Sequence, residues 1–296
     1  MAASAAGGGS AMTSARETAK TVIRQATLRL YANPIRRAYE SGRISAQSLR
    51  LPDFLGIGAP KAGTTWLHHN LAAHPDLFLP EGKEMHYFSD HQFRGLLWYA
   101  RQFEDAGPRR CGEITPGYAV LPRRDIERIA RLIPRVRLLL LVRDPVDRAW
   151  SHAVMKLSRE TGRSIDSISD EEFAAHFAGE HSTERGDYLR MIDNWTSVFS
   201  EDQLWIGSFD DLRDHPTELL VSVFDHLGVK RDVDWSRFPH QQVIDRGVHG
   251  TTDVFGKSKG PDMPERLAAC LRRELAPQIA AFADRYPSIG DPWRAA

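Results

Sequence analysis

The amino-acid sequence predicts an α/β protein. Its expected architecture is three-layered, α/β/α, on a central parallel sheet. Three observations carry that expectation. Strand-like and helix-like segments alternate from Pro52 onward, the pattern of a parallel sheet covered on both faces. Val136–Val142 is near-continuously apolar, as expected for a strand buried on both sides. Gly58–Trp66 reads as the end of a strand, a glycine-containing loop and the start of a helix, an order that cradles phosphate on backbone N–H groups.

The elements follow in order. Residues 1–50 read as an N-terminal extension. Its first 15 or so are rich in Ala, Gly and Ser and are expected to be disordered. Residues 16–50 are arginine-rich and helical in places, with Val22, Leu28, Leu30 and Tyr31 as the apolar positions. Residues 51–296 form the expected functional domain. Phe54–Gly58 is a strand and Thr64–Ala73 a helix, with Pro75 just beyond its end. Arg109–Glu113 is a short strand. Arg123–Leu132 is an amphipathic helix with Ile126, Ile129 and Leu132 in phase, stopped by Pro134. After the apolar strand, Pro145 suits the first turn of a helix reaching about Leu157. Tyr188–Phe199 is a helix capped by Asp187, with Ile192, Trp195 and Phe199 on one side. Leu204–Phe209 is a strand, Pro216–Leu227 a helix closed by Gly228, and Pro264–Tyr286 a long final helix. The polar, acidic stretch from Ser158 to Arg185 is a candidate lid or acceptor-facing segment.

Composition narrows the function. Lys plus Arg and Asp plus Glu both number 39, so no global basic field points to nucleic acid. With only Cys111 and Cys270, a multi-disulfide framework is excluded and a reduced compartment fits. No apolar run approaches the roughly 20 residues of a membrane span, and Met1–Ser14 lacks a secretory apolar core. The expectation is a soluble cytoplasmic protein without a transmembrane segment. Composition does not encode its oligomeric state. No metal site is expected: the twelve histidines are scattered, with no His-Glu-x-x-His and no Cys-x-x-Cys. His68, His69 and His74 are close in sequence, but a helix rotates the first two apart, so they are expected on a helix surface.

The loop itself departs from a Walker A box. Gly58 and Gly63 have the right separation and Thr65 takes the hydroxyl position, but Thr64 stands where the lysine belongs and the lysine sits earlier, at Lys61. A Walker lysine works beside magnesium on a nucleoside triphosphate. A nucleotide kinase or NTPase is therefore the rival enzyme class, and a non-catalytic nucleotide-binding module the rival outside catalysis.

Pro60-Lys61-Ala62-Gly63-Thr64-Thr65-Trp66 resembles the 5′-phosphosulfate loop of sulfotransferases. Arg143-Asp144-Pro145-Val146-Asp147-Arg148-Ala149-Trp150-Ser151 resembles their 3′-phosphate motif, Arg-x-Pro-x-x-Arg-x-x-Ser, with Ser151 eight residues (151 − 143) past Arg143. Lys83-Glu84-Met85-His86-Tyr87-Phe88 is similar to the Lys-Glu-x-His-Phe-Phe segment of the heparan-sulfate-type and related bacterial members. The likeness spans residues 52 to 293. It implies a sulfotransferase fold and transfer of a sulfuryl group from 3′-phosphoadenosine 5′-phosphosulfate (PAPS), without a metal, to a hydroxyl or amine. The acceptor would be a carbohydrate, a lipid or a small molecule.

The resemblance also distributes roles. Lys61, Ala62, Gly63, Thr64, Thr65 and Trp66 would hold the 5′-phosphosulfate, and Lys61 would stabilise the leaving group. Arg143 and Ser151 would hold the 3′-phosphate. Arg148 fits the motif too, but an ion pair with Asp144 or Asp147 on the helix surface is the stronger expectation for it. Glu84 would be the general base, with His86 the alternative. Lys257, Lys259 and Gly260 resemble part of a Lys-Gly-Arg-x-x-Pro loop that closes over the nucleotide, with Pro261 in place of its arginine. Gly112-Glu113-Ile114-Thr115-Pro116-Gly117-Tyr118 has Ile114 where the family's Glu-Lys-Thr-Pro-x-Tyr has lysine, which argues against a heavily sulfated acceptor.

Overall fold

The structure, a computed structural model, describes residues 49–239 and 262–295. Most of the expected extension and the loop carrying Lys257, Lys259 and Gly260 lie outside the described residues. The described chain runs through β1 (Phe54–Gly58), α1 (Thr64–Ala73), β2 (Leu77–Phe78), α2 (Leu96–Arg101), β3 (Arg110–Ile114), α3 (Arg123–Leu132), β4 (Arg137–Val142) and α4 (Pro145–Ala153). A π-helical stretch, Val154–Arg159, continues α4. Then come α5 (Asp170–Ala178), α6 (Glu180–Thr183), α7 (Tyr188–Thr196), β5 (Leu204–Ser208), α8 (Phe209–Asp214), α9 (Pro216–Leu227), α10 (Glu265–Arg285) and α11 (Pro287–Ala295).

The strands form one parallel sheet in the order β2-β3-β1-β4-β5. Helices cover it, giving the three-layer α/β/α fold that the alternation predicts. β1 lies between β3 and β4, with Phe54 opposite Gly112 on one side and Arg137 on the other. Its Leu55 and Ile57 and all of Leu138–Val142 are solvent-inaccessible. Burying each such side chain contributes about 1.5–3 kcal/mol, so the apolar middle strands anchor the core. The chain leaves β1 for one half of the sheet and later crosses to β4 and β5. Ligands of open α/β sheets bind beyond the strand ends at such a reversal.

β1, α1, α3 and α9 have the bounds that the apolar spacing and Pro/Gly punctuation predict. The helix after Pro145 departs from expectation. It leaves α geometry at Val154, and the π segment extends to Arg159. Ser158–Arg185 is more ordered than its polarity suggests. Ser169 and Glu172 form a reciprocal capping box at the start of α5, and Phe173 and Phe177 turn inward, with Phe173 against Trp150.

The expectation for the histidines is corrected. His68 is buried, and burial beside His69 and Lys83 pushes its imidazole down to about 4. His74 is buried, with Nε2 against the Lys230 carbonyl and Nδ1 accepting the Asp76 N–H. His68 faces inward because much of α1 is covered, with Thr64, Trp66, Leu67, His68, Asn70 and Leu71 all buried, and His74, just past the helix end, packs against Phe224.

The end of the chain is built on close contact. Trp293 stacks on Phe282 and donates its Nε1–H to Asp210 at 2.9 Å. α10 and α11 approach so closely at Gly290 that a Cβ there would lie 2.5 Å from the Ala283 Cα. Backbone cannot yield as a flexible side chain can. Gly290→Ala is expected to cost about 1–3 kcal/mol, the scale of overpacking, read as a lower midpoint in urea unfolding. An unchanged midpoint would show that the two helices separate freely.

Candidate active site

The site begins where β1 ends. The Ala59 N–H donates to the Leu141 carbonyl of β4 at 2.6 Å, so the loop is tied to the neighbouring strand. Lys61 and Gly63 both have positive φ, +73° and +91°. At Gly63 a Cβ would lie 2.6 Å from Leu212 Cδ1, so the turn needs glycine on both counts. The first intrahelical bond runs from Leu67 N–H to the Gly63 carbonyl. The N–H groups before it belong to a helix start that favours anions. Ala62 and Thr64 are buried and Thr65 is exposed, while the Trp66 indole packs into the core. Lys61 Nζ stands 3.7 Å from Met155 Sδ, at the head of the π segment.

The neighbouring strand supplies Arg143. Tyr188 Oη holds its backbone, donating to the Arg143 carbonyl at 2.7 Å and accepting its N–H at 3.3 Å. The guanidinium reaches Asp147 Oδ2 at 3.1 Å and the Lys61 carbonyl at 3.5 Å, and lies over the Phe209 ring at 4.5 Å. Asp144 caps α4 by accepting the N–H groups of Val146 and Asp147. Burial and the nearby Asp147 push its carboxyl up to about 6. Ser151 is buried two turns along the same helix.

Arg148 meets neither expectation of a surface ion pair. Asp147 pairs with Arg143 instead. Arg148 is 2% exposed and donates Nη2–H to the Ser182 carbonyl at 2.9 Å, while its Nε and Nη1 have no partner among the described residues. It lies on the inward side of α4, beneath the turn that leads into α7.

Residues 83–88 bring the third group. Lys83 Nζ is 3.2 Å from Thr65 Oγ1 and 3.6 Å from Glu84 Oε1. This contact sets Glu84 beside the N-terminus of α1, although the two segments are far apart in sequence. His86 Nε2 lies 3.2 Å from Glu84 Oε2, and its Nδ1 is 3.7 Å from Asp90 Oδ2. Burial alone would raise the Glu84 carboxyl. The His86 hydrogen bond and the Lys83 charge outweigh it and hold the carboxyl below its ordinary value. The hydrogen bond to Glu84 raises His86 against its burial, and burial lowers Lys83.

The structure therefore brings Thr65, Lys83, Glu84 and His86 together and sets Arg143 against the Lys61 carbonyl, while the Lys61 side chain lies against Met155. It places Trp66 in the core. Sequence reasoning missed four partners: Lys83 on Thr65, Tyr188 and Phe209 around Arg143, and Met155 on Lys61. It also missed the hydroxyls of Thr115 and Tyr118, which bind the backbone of residues 85–88. Their one signal was the Gly112–Tyr118 segment, read only for Ile114. That side chain is buried, with its Cγ1 2.6 Å from where a Cβ on Gly56 would lie.

A family profile described as "Sulfotransferase domain" matches residues 51–252. The chain belongs to the sulfotransferase family. Heparan sulfate glucosamine 3-O-sulfotransferase 3B1 of Mus musculus is 31% identical over 80% of this chain, and 3A1 of the same species is 31% identical over 79%. The matched regions are 62% and 61% of those relatives' lengths, so the chain spans about three-fifths of them. A crystal structure of a sulfotransferase from Alicyclobacillus acidocaldarius superposes with a TM-score of 0.62 at 24% identity, covering 82% of this chain and 98% of that one. That likeness concerns the fold.

The Glu84–His86 contact has a direct readout. In a carboxyl-selective ¹³C NMR titration Glu84 is expected to deprotonate below the usual 4.5. In His86→Ala its midpoint rises, because a group that favours the carboxylate is gone. A midpoint indifferent to His86 would dissolve the pair.

Proposed function

We propose that this protein transfers a sulfuryl group from PAPS to a hydroxyl or amine of a carbohydrate, lipid or small-molecule acceptor. The observation that supports it most is the meeting of Glu84 with the helix start that carries Thr65, through the Lys83 ammonium. It sets a carboxylate held in its ionised form next to a cradle for a phosphosulfate.

The residues divide the work as follows. The backbone N–H groups of the 59–65 loop, with Thr64 and Thr65, hold the phosphosulfate end of the donor. Arg143 and Ser151 hold the 3′-phosphate. Glu84 takes the acceptor's proton as the acceptor oxygen or nitrogen bonds to sulfur. The bond from sulfur to the bridging oxygen breaks in line, and its electron pair stays on that oxygen. Lys61 stabilises the charge gathering there, more in the transition state than in the ground state. The products are the sulfated acceptor and adenosine 3′,5′-bisphosphate, and the proton leaves from Glu84. Charge on the leaving group is met by Lys61 and the helix start, so the scheme calls on no metal. The absence of a lysine at Ile114, where the heparan-type pattern has one, argues against a heavily sulfated acceptor.

Two measurements test this reading. Calorimetry is expected to show binding of adenosine 3′,5′-bisphosphate in preference to ATP with magnesium; the reverse preference would move the chain to a nucleotide kinase or NTPase. With labelled PAPS and a panel of sugar, glycolipid and phenol acceptors, Glu84→Gln is expected to keep bisphosphate affinity and lose at least about 10²-fold in turnover, the scale of a positioned base. Full turnover in that variant would pass the role to His86.

A further inference from the structure

Glu113, near the end of β3, is 2% exposed, and its three hydrogen-bond partners are hydroxyls. Tyr99 Oη and Tyr118 Oη each donate to its Oε1 at 2.8 Å, and Thr115 Oγ1 donates to its Oε2 at 2.6 Å. A hydroxyl has one proton and two lone pairs. With the protons drawn to Glu113, the lone pairs of Thr115 and Tyr118 are turned outward. Both are used on one segment. Thr115 Oγ1 accepts the N–H groups of Met85 at 3.1 Å and His86 at 3.3 Å, and Tyr118 Oη accepts that of Phe88 at 3.2 Å.

That segment carries Glu84 and His86. His86 also has φ of +52°, a region sparsely populated by residues other than glycine and kept only where the surroundings impose it. The Thr115 hydroxyl holds His86 by its own N–H. Tyr87 stacks on Tyr99 with ring centroids 4.1 Å apart, so the same tyrosine that serves Glu113 also steadies the side chain between His86 and Phe88.

We infer that Glu113 is a positioning residue: through Thr115 and Tyr118 it orients the backbone of residues 85–88 and so aims Glu84 and His86 at the donor loop. Glu113 itself touches no reacting atom. The inference rests on the reading of Glu84 or His86 as the base. A carboxylate suits the task because it only accepts. An amide in its place would offer a donor to hydroxyls that must keep their own lone pairs for the loop. The groups facing His86 are Glu84, Asp90 and Glu113, with the His91 ring beside it.

The test uses variants that leave those charges in place: Thr115→Val, Thr115→Ser and Tyr118→Phe in the full chain. Turnover with the best acceptor of the panel is expected to fall about tenfold or more in Thr115→Val and less in Tyr118→Phe. Bisphosphate affinity should stay within twofold, and Thr115→Ser should retain activity. NMR titration of His86 supplies a readout that needs no acceptor. Its midpoint lies above the ordinary 6.5 in the parent protein and is expected to move toward 6.5 in Thr115→Val, as the ring loses register with Glu84. Parental turnover and an unmoved His86 titration in folded Thr115→Val or Tyr118→Phe would overturn the inference. If Thr115→Val does not fold, Tyr118→Phe decides. Loss in Thr115→Val with full activity in Glu84→Gln would keep the positioning role and reassign the base to His86. Loss in Glu84→Gln alone would keep the base and discard the positioning role.

Discussion

The pairing of β1 between β3 and β4 is the constraint on which the rest of the structure depends. Each of these strands ends at the same edge of the sheet, and each delivers one part of the site. β1 delivers the loop with Lys61, β4 delivers Arg143, and β3 delivers Thr115 and Tyr118. The ladder continues past the strands: Ala59 is bonded to Leu141 and the Thr115 N–H to the Gly56 carbonyl. Because parallel pairing fixes register, the loops inherit ångström-scale placement from a core of buried Leu, Ile and Val rather than from contacts among themselves. The segment with Glu84 belongs to no strand. It acquires its place second-hand, from hydroxyls on the β3 side and from Lys83 on the α1 side.

The electrostatics of the site follow from that arrangement. Lys61, Lys83 and Arg143 each have local partners. Met155 sulfur lies against Lys61, Glu84 and Thr65 against Lys83, and Asp147 with the Phe209 ring against Arg143. The Met155 and Thr65 contacts are with neutral groups and are weaker than a charge-assisted bond to a phosphate or sulfate would be. The carboxylates paired with Lys83 and Arg143, Glu84 and Asp147, both keep some exposure to solvent.

Much of this was legible in the sequence, for identifiable reasons. β1, α1, α3 and α9 announce themselves through apolar spacing and through Pro or Gly at their ends, and these are local signals. Lys61, Arg143 and Glu84 stand out because each sits in a string of residues with a recognisable pattern. What stayed hidden depends on distant pairings. Thr115 and Tyr118 look like ordinary loop residues until register brings them under residues 85–88. His68 and His74 read as surface because periodicity does not say how much of a helix, or of the turn after it, will be covered by the rest of the chain. For Arg148 the sequence offers a phosphate motif or a pair with Asp144 or Asp147, whereas the structure turns it inward to the Ser182 carbonyl. α5 escaped notice because acidic residues crowd its first turn and mask Phe173 and Phe177.

The contact between Arg143 and Asp147 has one further effect. An incoming group that takes the Nη2 side of that guanidinium must evict a carboxylate already seated there. Asp147 is more than half exposed, so once released it rehydrates at little cost. The exchange is nonetheless a swap of one anion for another. A singly charged newcomer would gain almost nothing from it, whereas a phosphate monoester, with close to two charges at neutral pH, gains on balance. The seated Asp147 carboxylate thus sets Arg143 to gain more from a doubly charged group than from a singly charged one.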